Sequence, residues 1–189
     1  MADLFDSPVS ASQASSLEGA ADLLGKTARI LAAATVAANA RWPEFKWPVG
    51  ESKIKGVLGG QFGRHRRYLV VAGEEYRAYL FMGVVSVDGE AQCAVWVETR
   101  NKAIEPRRQV IHQADIAGLG PEWERDMGAW GGLHKSARLV SFASHDQVVG
   151  WFLTSLAELD EAGILAMIPG LGTVEPVESV DDEDAVPLS

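Results

Sequence analysis

The chain has one cysteine, Cys93, among its 189 residues. No disulfide can form within it, and cysteine usage gives no sign of an oxidising compartment. Long apolar runs are also lacking; none reaches the roughly 18 residues that a membrane-spanning helix needs. The first residues, Met-Ala-Asp-Leu-Phe-Asp-Ser-Pro, carry acids where a secretion signal carries bases. Together these absences lead us to expect a cytoplasmic address and no membrane contact. Catalytic signatures are scarce as well. There is no Gly-x-Ser-x-Gly elbow, no His-Glu-x-x-His and no paired-cysteine spacing, so no catalytic residue, metal or cofactor is expected.

What is present reads as a folded domain. Hydrophobic residues make up 47% and charged residues 23% of the chain, close to the globular average, which excludes wholesale disorder. The length suits one domain with tails: an N-terminal arm over 1–14, an α+β domain over 15–170, and an acidic tail over 171–189. Six acids and no base lie beyond Thr173, so the tail carries most of the net charge of −9. The segment from Ser52 to Tyr68 has the opposite sign. Lys53, Lys55, Arg64, Arg66 and Arg67 stand there with no acid between them, a cluster that attracts phosphate or acidic partners.

The strongest local signal is the stretch 76–99. Asp88-Gly89 between two apolar arms predicts a long antiparallel hairpin, because a two-residue type I′ turn needs positive φ at both positions. With that turn fixed, Val84 pairs with Cys93, Met82 with Val95 and Leu80 with Val97, an apolar core face. The opposite face pairs Phe81 with Trp96, Gly83 with Ala94 and Val85 with Gln92. Tyr79, Phe81, Val85 and Trp96 on that face are the expected protein-interface residues. The expected partner is another protein or a second copy of the chain.

Around the hairpin the pattern places an N-terminal helix from a capping box at Ser15-x-x-Glu18 to about Ala40. Two Trp-Pro pairs then end it, with Trp42, Phe45 and Trp47 set to cap the core. A glycine-rich turn between short strands is expected over 50–67, and it matches neither the phosphate-loop nor the dinucleotide spacing. A strand is expected over 67–72 and a middle helix over 101–117, then a loop to Leu133 and a strand over 136–144. A C-terminal helix opens on the capping box Ser144-x-x-Gln147 and stops at Gly163. The fold class is α+β, with a mainly antiparallel sheet built on the hairpin.

Two alternatives attach to particular residues. Lys53, Lys55, Arg64, Arg66 and Arg67 form a candidate phosphate-backbone contact for nucleic acid, which needs charge and reach more than a fixed pattern. Glu51-x-Lys53 has the shape of half a metal-dependent nuclease signature, although the other carboxylate is missing. Cys93 is expected to be inert packing on the core face. His112 and Asp115 are one helical turn apart, a common accident of spacing.

Overall fold

The computed structural model describes residues 11–62, 68–72, 78–87, 90–99, 116, 118–126 and 132–170. Helix α1 (Ala11–Arg41) leads through a 3₁₀ turn (Pro43–Phe45) into α2 (Glu51–Phe62). Strands β1 (Tyr68–Ala72), β2 (Ala78–Val87) and β3 (Glu90–Thr99) follow, then β4 (Trp123–Asp126) and β5 (Gly132–Arg138). A second 3₁₀ turn (Leu139–Ser141) precedes α3 (His145–Glu161) and α4 (Ile164–Gly170). The five strands form one antiparallel sheet in the order β1-β2-β3-β5-β4. The chain is an α+β fold.

The hairpin register is the one its turn dictates: Leu80 faces Val97, Met82 faces Val95, Val84 faces Cys93 and Phe81 faces Trp96. Its inward face joins the main core, where Met82, Cys93, Val95 and Val97 have no exposed surface. The described helices supply the other side of that core. Leu31, Ala34 and Ala38 come from α1, Ile54 and Leu58 from α2, Phe152, Leu156 and Leu159 from α3, and Ile164 and Ile168 from α4. Alanine at three of α1's inward positions (28, 34 and 38) keeps its stripe thin, which lets the helix axis come close to what it covers.

Trp42, Phe45 and Trp47 are all buried in this core, as the Trp-Pro pattern implies. Asn39 fixes that segment. Its amide accepts from the Trp47 N–H at 2.8 Å and donates to the Trp47 carbonyl at 2.9 Å, pairing the backbone as a neighbouring strand would. Lys46, with φ +46°, takes the left-handed conformation at the end of the 3₁₀ turn.

Several boundaries differ from the sequence expectation. Helix α1 begins at Ala11, so Ser15 lies inside it and is not its cap. The stretch expected as a glycine-rich turn is helix α2; Ile54 and Leu58, spaced four apart, are both fully buried, and that burial overrides the poor helix propensity of Gly56, Gly59 and Gly60. Strand β5 starts at Gly132 and ends at Arg138, and β4 runs through what was expected to be loop. Residues 139–141, expected to continue the strand, form a 3₁₀ turn instead. The expected middle helix over 101–117 falls largely outside the described residues, as do the tail from 171 and residues 1–10 of the arm expected over 1–14; residues 11–14 of that arm belong to α1.

Helix α3 starts and stops as its sequence requires. Ser144 Oγ accepts from the Gln147 N–H at 3.3 Å, and the Gln147 side chain reaches back to the Ala143 N–H at 2.7 Å. At the far end Gly163, with φ +74°, donates to the Asp160 carbonyl at 2.8 Å and turns the chain into α4.

Candidate functional site: the second face of the sheet

Side chains alternate along each strand, so the residues not used in the core form a second face. The register aligns them in rows. Phe81, Trp96, His134 and Glu124 lie across β2, β3, β5 and β4; Gly83, Ala94 and Ser136 form the next row, and Val85, Gln92 and Arg138 the one after. Val87 and Glu90 close the face at the hairpin turn.

The rows change character from β2 towards β4. Phe81 and Trp96 stack with ring centroids 4.9 Å apart, and Phe81, Val85 and Ala94 form a small apolar cluster against which Trp96 packs. Phe81 retains 5% and Val85 9% of its surface, while Trp96 is half-buried. On β5 and β4 the residues are polar and paired. His134 Nε2 lies 3.3 Å from Glu124 Oε2, and Ser136 Oγ donates to Gln92 Oε1 at 2.7 Å. Arg138 donates from both Nε and a terminal nitrogen to the two carboxylate oxygens of Glu90. That fork holds the Glu90 carboxyl below its ordinary range and raises the Arg138 guanidinium further. Two exposed valines flank this end: Val87, on β2, is 42% exposed and Val140, just beyond Arg138, is 88% exposed.

Of the interface residues expected from sequence, Phe81, Val85 and Trp96 are brought together here. Tyr79 occupies the register position opposite Glu98 on the same face, and its side chain lies outside the described residues. The surface offered on this face by the described residues therefore comes from Trp96 and the polar rows beside it.

The basic segment is split. Lys53 and Lys55 stand exposed on α2, while Arg64, Arg66 and Arg67 lie outside the described residues. Lys55 pairs with Glu51 at 2.7 Å, one helical turn away. That bond, the largest influence on Glu51, lowers the carboxyl below its ordinary range. Glu51 and Lys53 thus sit on an exposed helix turn with the carboxylate turned to a different lysine. Gly25-Lys26-Thr27, the closest approach to a phosphate-loop ending, lies within α1, where Lys26 pairs with Asp22 at 2.6 Å and Thr27 is buried.

Cys93 is buried and its thiol donates to the Ala137 carbonyl at 3.3 Å; burial pushes its pKa up to about 12. A thiolate nucleophile is not available there at neutral pH. Among the described residues no three His, Cys, Asp or Glu side chains are grouped to hold a metal ion. No described helix is long and apolar enough to cross a membrane.

Sequence reasoning missed one polar constellation on the core side. Lys135 points inward from β5 and binds both carboxylate oxygens of Glu158 on α3, at 2.8 and 3.0 Å, while the Trp123 indole N–H from β4 donates to Glu158 at 2.7 Å. Two residues on, Asp160 accepts from the Trp42 indole at 2.9 Å. The signal available was the inward parity of Lys135 between Leu133 and Ala137, which demands a buried acid. These bonds tie β4 and β5 to α3, and α3 to Trp42 just beyond α1, so the cluster is explained as architecture. No protein-family model, curated protein or solved structure gives a significant match to the chain.

Proposed function

We propose that this chain is a non-enzymatic protein-binding domain that uses the second sheet face, from Trp96 to the hairpin end, and that its simplest partner is a second copy of itself. The observation that carries the reading is the arrangement of that face: a half-buried Trp96, stacked on the buried Phe81, set beside exposed polar pairs, with Val87 and Val140 exposed. Interfaces combine an aromatic centre with a polar rim in this way. The rim carries both signs, with Arg138 beside Glu90 and with Glu124 next to His134, and a surface of mixed sign suits the self-complementary contact that a two-fold axis requires. The free buried thiol of Cys93 suits the cytoplasm as the place where such a domain works.

The test is the mass of the full chain in solution by light scattering, at low and high salt, with absorbance at 260 and 280 nm read on the same peak. A dimer that Arg138→Glu or Val140→Glu returns to monomer supports the reading; both positions are exposed and neither change opens the core. A monomer at 100 µM or so, at either salt concentration, overturns self-association. A second reading, nucleic-acid binding through 53–67, is favoured by Lys53, which is exposed and makes no ion pair among the described residues. It requires the peak to carry 260 nm absorbance at low salt and to shed it at high salt.

A further inference from the structure

Helix α2 carries three glycines, Gly56, Gly59 and Gly60, all exposed. A methyl group added at any of them would meet nothing within 4 Å, and none has positive φ. The fold therefore has no steric need for glycine there, and each one weakens the helix about fivefold relative to alanine. Within 51–60, Ile54 and Leu58 are the buried residues, and Val57 is left 38% exposed. A glycine in the left-handed region precedes the helix. Gly50, with φ +94°, accepts the first helical hydrogen bond from Ile54. Three residues earlier, Trp47 is clamped to α1 by Asn39 and is 2% exposed. The clamp thus ends three residues before the left-handed glycine at which the backbone turns into α2. What α2 packs against, besides α1, is β1, an outer strand of the sheet.

We infer that α2 is a separately opening cover over the β1 edge: it undocks as a unit about Gly50 while the Asn39–Trp47 clamp, the central strands and α3 stay folded. Opening removes Ile54 and Leu58 from their seat and uncovers the part of β1 that α2 contacts. The three glycines set how often this happens, because they reduce the free energy needed to open α2 without loosening the core around it.

Native-state hydrogen exchange on the full chain tests this. In the wild type, α2 amides from 55 to 60 should exchange at least tenfold faster than the Trp47 amide and the β2–β3 amides. They should also show a weaker dependence on low denaturant. The triple variant G56A/G59A/G60A should slow the α2 amides about a hundredfold. Ser144→Ala, which removes the α3 cap, should speed β2–β3 and α3 exchange severalfold and leave α2 unchanged. Equal protection of α2 and the central strands in the wild type, an α2 response to Ser144→Ala equal to theirs, or no slowing in the triple variant would each overturn the inference.

Discussion

Lys135 Nζ lies 2.8 and 3.0 Å from the two carboxylate oxygens of Glu158, a bond that fastens β5 to α3 across the core. The Lys135 side chain is 9% and the Glu158 side chain 29% exposed, so neither charge is well hydrated once its partner is gone. Removing one side of such a pair costs about 3 kcal/mol or more, because the remaining charge stays buried. Lys135→Met and Glu158→Gln should each lower stability by about that amount in chemical denaturation. The double variant Lys135→Met/Glu158→Gln should lose less than the two single effects added together. Additive losses would mean that the two groups do not depend on each other.

Asn39 and Trp47 make the second long-range tie. A buried backbone N–H and C=O are satisfied there by a side-chain amide, and Asn39→Ala leaves both without that partner. The expected loss is about 2–3 kcal/mol. Tryptophan fluorescence should report a looser Trp47 in the folded variant, since the clamp holds the backbone that carries its buried indole.

These two ties explain why the sequence revealed the sheet better than its edges. The hairpin was legible because Asp88-Gly89 sets the register and the alternation of Leu80, Met82 and Val84 fixes the inward face. Nothing non-local was needed. Strands β4 and β5 were obscured because their inward positions include Lys135, which breaks the apolar alternation and is acceptable only with Glu158 opposite it, some twenty residues further along. Helix α2 was obscured for a related reason: its glycines read as turn, and only contact with α1 and β1 makes helix the better choice. On the second face, the pairing of Phe81 with Trp96 could be read from the turn alone. The polar half could not, since it depends on β5 pairing with β3 in a register that no local motif encodes.

Cys93 offers a probe of opening through the core. Its thiol is buried and its pKa is pushed up to about 12 by that burial, so a disulfide reagent at neutral pH finds almost no thiolate. Reaction in native buffer should be slower than in denaturant by several orders of magnitude and should follow global unfolding. Reaction at the rate of α2 exchange would show that undocking of α2 reaches the central strands.

The pair Glu90 and Arg138 sets a pH dependence of definite sign. The Arg138 guanidinium donates to both Glu90 oxygens and holds the folded carboxyl below its ordinary range. A carboxyl depressed in the folded state contributes stability that is present above its unfolded pKa and is lost as pH falls through the folded pKa. The loss therefore falls in the acid window just below the ordinary carboxylate range, and near neutral pH the contribution is constant. With side chains 62% and 47% exposed, the pair is screened by solvent and salt, so its share of stability is small. The Glu90 titration itself carries the signal. NMR titration should show Glu90 returning towards the ordinary range in Arg138→Gln and, to a lesser extent, in the wild type at high salt, with almost no change in stability at neutral pH. A Glu90 midpoint that ignores both changes would mean that the fork is not populated in solution, and the polar rim of the second face would lose its best-ordered member.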